Sequence, residues 1–247
     1  MPASRRQAGA VSSAAKPLAP IMEAVPIALG APPADSLDAA LLAFHRQVER
    51  CQICSTIAPW RKFPLGRRGT ARLGIMVLGE APGRVSLENA RPFSNPRNLT
   101  VRNAIARAIA PMTLAPEEVL YFSDTVKCWP SSPSGANRSP TAAENATCVS
   151  RHLAAELAIA RPRVIFAFGA RAAAAVLGRP VKMLDLHGVW IEAGGLRVLP
   201  LMHPSTINIA GMRKAGISSL LVYEIRLAAF FRTELEPLLA PTGPADP

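Results

Sequence analysis

Aromatic residues are scarce in this chain: two tyrosines, three tryptophans and eight phenylalanines amount to 5% of 247 residues. Hydrophobic residues reach 49%, yet 43 of them are alanine, so the large side chains that build a core are fewer than that fraction suggests. Long apolar runs are missing too. Arg171 breaks the best one, Val164 to Gly178, short of the roughly 18 to 20 residues that a membrane helix needs, so no spanning segment is expected. Four cysteines are too few for a disulfide-built scaffold, and no apolar signal segment precedes them. The expectation is a reducing, intracellular compartment.

Acidic residues are also few, 17 against 28 Lys plus Arg, which gives a formal charge of +11, and 23 of the 28 cations are arginine. The planar guanidinium fork suits phosphate better than a lysine point charge, and a pI near 10.5 points to a polyanionic partner such as nucleic acid. A GC-rich genome, which loads its proteins with Arg and Ala, would produce the same bias without any such partner.

Residues 1–35 hold six prolines and only Glu23 and Asp35 as acids, and they read as a disordered N-terminal segment. Their acid-poor, Arg- and Ser-containing character also fits an organellar transit peptide. Residues 237–247 read as a flexible tail, leaving a folded unit over 36–236. Within it, apolar runs alternate with helical patterns, the signature of a parallel sheet covered by helices. Ser36 to Arg50 reads as a helix with Leu41, Leu42, Phe44 and Val48 on one side. Leu73 to Gly79, Val119 to Asp124 and Val164 to Phe168 read as strands, the first buried on both faces. Helices are expected from Leu99 to Ala110, from an N-cap at Ser139 with Pro140 behind it to Ala160, from Ala170 to Leu177 and from Ser218 to Leu235. Val189 to Glu192 and Leu196 to Leu201 read as a hairpin-like pair. Ligands of such sheets bind outside the carboxyl ends of the strands. Those ends carry Glu80, Asp124 and His203.

The cysteines are spaced Cys51-x2-Cys54, then Cys128 and Cys148. A CxxC with two further thiols beside element ends can hold one metal centre, and spacing alone leaves open structural zinc, an iron–sulfur cluster or four unrelated thiols. Gly79-Glu80-Ala81-Pro82-Gly83 is not the glycine pattern of a dinucleotide site. Together with Arg91-Pro92-Phe93, with Val126-Lys127-Cys128 followed by Asn137-Arg138 and a Pro-Thr helix start, with Cys148 and with His203-Pro204-Ser205, however, it resembles the family-4 uracil-DNA glycosylases over about residues 47–230.

That resemblance implies a three-layer αβα sandwich around a mostly parallel, four-stranded sheet, and a monomeric enzyme of base excision repair that hydrolyses the N-glycosyl bond of uracil, or a related deaminated base, in DNA. It implies that Cys51, Cys54, Cys128 and Cys148 hold a 4Fe-4S cluster, with structural zinc as the alternative. Glu80 and His203 would be the catalytic pair at the glycosidic bond. Ala81, Phe93 and Asp124 would bind the base, and Phe93 would stack on it once it is flipped out of the helix. Thr206 to Lys214 would be the wedge loop, with Ile207 as the apolar wedge and Arg213 and Lys214 on phosphates. A bacterial cytoplasmic location at the nucleoid goes with this reading.

Asp124 departs from the family pattern, which places Asn there to read the uracil edge. An amide offers a donor and an acceptor, whereas an ionised carboxylate only accepts. Ser86-Leu87 stands where the family has an acidic pair, and Ser94 to Asn98 replaces a Gly-rich stretch. Two other readings stay open on these grounds: a non-catalytic or differently specific DNA-binding member of the fold, or a metal-braced nucleotide-binding protein.

Overall fold

The computed structural model describes residues 34–57, 68–95, 99–203, 210–211, 213–216 and 219–235. In chain order the elements are α1 (Ala34–Glu49), β1 (Ile75–Gly79), α2 (Arg84–Glu88), α3 (Leu99–Ile109), α4 (Pro116–Val119), β2 (Tyr121–Asp124), α5 (Ala142–Cys148), α6 (Ala154–Ala160), β3 (Val164–Phe168), α7 (Ala170–Leu177), α8 (Met183–Leu186), β4 (Ile191–Ala193), β5 (Leu196–Leu201) and α9 (Ser219–Phe230). One wide turn, Val149–Leu153, joins α5 to α6, and another, Phe231–Leu235, ends α9.

The sheet runs β2-β1-β3-β5-β4, with four parallel strands and an antiparallel edge. It therefore has five strands, not the four expected; the extra one, β4, is the short first arm of the hairpin around Gly194 and Gly195. Alternation along each strand sends side chains to opposite faces, so each face builds its own core. On one face Ile75, Val77, Phe122, Phe166 and Leu201 meet α3 and α9 through Val101, Ile105, Leu227 and Phe230. On the other, Met76, Leu78, Ile165 and Val198 meet α1, α6 and α7 through Leu37, Leu41, Leu157, Ala173 and Val176. Helices on both faces of one sheet give the expected three layers.

Two local expectations are corrected. The buried stripe of α1 is Leu37, Leu41, Phe44 and Val48, at helical spacing, while Leu42 faces solvent at 47% exposure. The helix after the second strand is capped by Thr141 instead of Ser139. The Thr141 hydroxyl accepts from the Glu144 amide at 3.2 Å, and the Glu144 carboxylate accepts from the Thr141 amide at 2.7 Å. This reciprocal box requires an acid three residues after the cap, which Ser139 does not have.

Beneath the α1 and α6 side of the sheet lies a buried polar network. Glu156 of α6 is completely buried, and its carboxylate accepts from the Tyr121 hydroxyl at 2.7 Å, the Ser123 hydroxyl at 2.6 Å and the Lys127 ammonium. The Arg68 guanidinium stands 3.8 Å away and donates to the Phe122 carbonyl at 2.9 Å. His45 of α1 shares a hydrogen bond with the Tyr121 hydroxyl at 2.9 Å. Burial by itself pushes Glu156 up, but Lys127 and Arg68 outweigh it and hold the carboxyl at about 2, so it is ionised throughout the physiological range.

Removing one partner of a buried pair leaves an unpaired charge, at a cost of roughly 3 to 5 kcal/mol. Glu156→Ala is expected to lower unfolding stability by about that much in urea titration, since Lys127 and Arg68 would both be stranded. A loss below about 1 kcal/mol would show that the network carries little of the stability.

Candidate active site and cysteine cavity

The carboxyl ends of the parallel strands gather the expected polar groups along one edge. Glu80 follows β1, Asp124 ends β2 and His203 follows β5. Three contacts zip the first two segments together: the Thr125 amide donates to the Gly79 carbonyl at 2.9 Å, and the Val126 amide and Thr125 hydroxyl donate to the Glu80 carbonyl at 2.9 and 2.6 Å. Gly79 is required by its neighbours. A Cβ at that position would sit 2.4 Å from Asp124 Oδ1 and 2.9 Å from Phe93 Cζ. Phe93 and Asp124 therefore pack directly against Gly79, at the place where the sequence reading puts the base.

Phe93 is held with unusual firmness. Its φ of 55° lies in the left-handed region, a strained conformation for a bulky residue and one that persists only where the surroundings enforce it. Here the ring packs against Phe122 and Phe168, both with centroids at 6.0 Å. The preceding turn is pinned by Arg102, which donates to the Pro92 carbonyl at 2.8 Å, while Arg91 and Arg102 both reach Glu117 Oε1, at 2.9 and 2.6 Å. Arg91-Pro92-Phe93 is thus a fixed turn whose aromatic ring borders Asp124.

Burial pushes the Asp124 carboxyl up to about 6; Arg68 and Lys127 pull it down, while Glu156 and Glu80 add to the rise. Burial also lowers His203, so its imidazole is neutral near pH 7. Glu80 is about one-third exposed. Its nearest cation is Arg171 of α7, with Nη1 at 3.4 Å, and the same guanidinium donates to the Pro140 carbonyl.

The four cysteines line a single cavity together with Ile53, Ile57, Val126, Thr147 and His152. The CxxC segment leaves α1 through the Cys51 amide, which donates to the Val48 carbonyl at 3.0 Å. Thr56, just beyond it, donates to Glu144 at 2.6 Å, and Arg138 grips both oxygens of that carboxylate at 2.6 and 2.7 Å. Cys148 and His152 both reach the cavity from the α5 end and the wide turn after it. Sulfur has polar partners there: the Lys127 amide donates to Cys148 Sγ at 3.2 Å, and His152 Nε2 stands 3.3 Å from Cys51 Sγ. Ala81 packs on the same small core as Ile57, Val126 and Cys148, so the loop after β1 touches the cavity wall.

Among the described residues no group of three His, Cys, Asp or Glu side chains could hold a single metal ion as arranged. Tetrahedral zinc, with Zn–S near 2.3 Å, draws its sulfurs to about 3.8 Å from one another, whereas an iron–sulfur cluster spreads its thiolates over a larger cage. Four thiols on the wall of one cavity are the donor set that either centre would use.

Of the other expected site residues, Arg213 and Lys214 are exposed on a short helical segment, and Ile207 lies outside the described residues. Sequence reasoning missed Arg171, Arg68, Lys127 and Glu156. Glu156 left a usable signal, because it falls on the apolar face that Leu153, Leu157 and Ala160 give to the sheet, where a charge needs a buried partner. Asn137, noted only as part of a motif, proves to be a brace: its side-chain oxygen accepts from the Trp129 indole at 2.7 Å and from the Arg84 amide at 3.0 Å, holding the loop after β1.

The profile of the uracil DNA glycosylase superfamily matches residues 66–218, more than half of the chain. The chain belongs to that superfamily. It is also 28% identical over 210 residues to the type-4 uracil-DNA glycosylase of Pyrobaculum aerophilum, an alignment covering 82% of this chain and 98% of that protein. Membership makes it a hydrolase of the N-glycosyl bond, and it bears out the fold class and the superfamily expected from the motifs.

Asp124 yields a signed prediction. Below about pH 4 it is protonated in both folded and unfolded chains and contributes nothing; as pH rises the unfolded form ionises first, so the native state loses up to about 3 kcal/mol by the time pH passes 6. Asp124→Asn is therefore expected to be more stable than the wild type at pH 8, with the difference fading towards pH 4 in urea titrations. A gain independent of pH would show that Asp124 is ionised at ordinary cost.

Proposed function

We propose that this protein excises uracil from DNA, leaving an abasic site, with a 4Fe-4S cluster held by Cys51, Cys54, Cys128 and Cys148. The observation that carries this reading is the meeting of Phe93 and Asp124 against Gly79, beside Glu80 and on the strand edge that ends in His203. A base stacked inside a duplex is out of reach, so it is extruded towards Phe93 and Asp124 and held by stacking and by its edge.

Uracil presents an N3 hydrogen and an O4 acceptor. The neutral carboxyl of Asp124 offers one O–H and one carbonyl oxygen, the same donor and acceptor pair that an amide supplies. With a pKa of about 6, roughly a tenth of the protein carries this form at pH 7, and a bound uracil adds to that fraction. As the bond between the sugar carbon and the base nitrogen breaks, its electron pair leaves with the base and positive charge builds on the sugar. The Glu80 carboxylate stabilises that charge and orients the water whose oxygen joins the sugar carbon, while the neutral His203 donates a hydrogen bond to the departing base. Arg213 and Lys214 contact phosphates, with Ile207 as the wedge.

The cysteine cavity fits a cluster by its chemistry. Four thiols line it, the rest of its wall is largely apolar, and the Lys127 amide and His152 supply hydrogen bonds to sulfur of the kind that tunes such centres. Burial raises the Cys148 thiol to about 11, so iron is what would hold it as the thiolate. When bound, the cluster braces the CxxC segment against the loop after β2. The altered pocket favours one further reading, activity on another deaminated base: an ionised Asp124 suits an edge that presents donors.

The test is excision from oligonucleotides carrying uracil, hypoxanthine or xanthine, single-stranded and mispaired. Wild type is expected to cut at uracil after alkali, and Glu80→Ala is expected to lose 100-fold or more of the rate, the scale of a positioned acid–base or electrostatic group. Activity confined to another base would make the second reading correct; none on any base, with DNA still bound, would contradict both. Protein purified without oxygen is expected to carry four irons per chain and visible cluster absorbance, both lost in Cys148→Ser. Stoichiometric zinc in place of iron would overturn the cluster.

A further inference from the structure

Lys127 is 1% exposed, more buried than any other charged residue among those described except its partner Glu156, and the chemistry above gives it no step. A lysine held this far from water needs a reason, because an apolar side chain of similar length would fill the space at lower cost. Its contacts run in two directions. Its main-chain amide donates to Cys148 Sγ at 3.2 Å, in the wall of the cysteine cavity. Its ammonium turns back along the chain and spends all three donors: on the Ser123 hydroxyl at 2.9 Å, on the main-chain carbonyl of Asp124, and on the Glu156 carboxylate. Glu156 closes the loop by accepting from Ser123 at 2.6 Å.

Asp124 is the last residue of β2, and its final ladder partner is Gly79. The Thr125 amide on the far side of the Asp124 peptide donates to the Gly79 carbonyl at 2.9 Å, so one side of that peptide is held by β1, and a small rotation of it would swing the Asp124 carboxyl relative to Phe93. The ammonium grips the peptide at this place. We propose that Lys127 is a positioning residue that ties the cysteine cage to the base pocket, its main chain holding Cys148 and its ammonium holding the strand end on which Asp124 is mounted. The inference rests on the uracil-excising reading and deepens it. Loading of the metal centre and reading of the base thereby share one residue, so by linkage each stabilises the other.

A double-mutant cycle on the iron-loaded protein tests this, using an oligonucleotide with 2′-fluorinated deoxyuridine, which binds without being cleaved. Lys127→Met is expected to weaken its binding at least tenfold while moving the affinity for undamaged DNA less than twofold. In an Asp124→Ala background the same change is expected to cost less than twofold, because nothing remains to be positioned. A second readout is the rate at which a chelator strips the cluster: the bound oligonucleotide is expected to slow it in wild type and not in Lys127→Met. An equal binding penalty in both backgrounds, or equal protection of the cluster in both proteins, would overturn the tie and leave Lys127 a merely structural residue. If Lys127→Met does not fold or load iron, Lys127→Met with Glu156→Gln removes both charges, and the same cycle decides. Failure of the underlying reading looks different: wild type itself would not prefer the deoxyuridine analogue over thymine.

Discussion

The Glu156 carboxylate, sealed from water, is the point at which otherwise separate parts of the chain meet. Through Tyr121 and Ser123 it holds β2; through Tyr121 it reaches His45 on α1; through Lys127 it reaches the loop that carries Cys128; and Arg68 comes in from before β1. A buried ion is costly alone, and only a full set of partners offsets that cost. Once Glu156 is in place, the positions of its partners follow from its oxygens, and these partners sit directly behind both the cysteine cavity and the base pocket. The network lies on the α1 and α6 side of the sheet, while Phe93 belongs to the core on the α3 and α9 side. Phe93 and Asp124 therefore meet where two separately built cores reach the same strand ends.

That placement explains a division of labour among the acids. Glu156 is held ionised by two cations, and Asp124, buried nearby and in no ion pair among the described residues, is raised by its burial. Pairs of acids whose surroundings push them apart are a common way for one site to hold a charged and a neutral carboxyl at the same pH. Glu80, partly open to solvent beside Arg171, is the third, and it is the one to which the proposed mechanism gives the developing positive charge. Three carboxyls thus have three environments: one buried and ion-paired, one buried and raised, one partly open beside a guanidinium.

Much of this was legible in the sequence, for identifiable reasons. The parallel strands announced themselves as short apolar runs because they are buried on both faces. The strand-end rule then brought Glu80, Asp124 and His203 to one edge, and the CxxC with two later cysteines converged on one cavity despite a gap of 73 residues. The failures have equally specific causes. Leu42 and Leu41 cannot both face inward, and adjacent letters do not say which one does. Ser139 looked like a cap until the reciprocal acid at Glu144 is counted from Thr141. Lys127 and Glu156 are 29 residues apart, and no local pattern pairs them. Arg171 entered the sequence reading only as the break in an apolar run; its place beside Glu80 depends on how β3 lies against β1.

The central claim is that uracil is read by the neutral carboxyl of Asp124. The direct measurement is the pH dependence of single-turnover uracil excision, wild type against Asp124→Asn, between about pH 5 and 8.5. The wild-type rate is expected to fall roughly tenfold per pH unit above an apparent pKa near or somewhat above 6, while the amide variant, which cannot ionise, shows no such fall. A wild-type rate that holds level to pH 8, or one that rises as Asp124 ionises, would contradict the account.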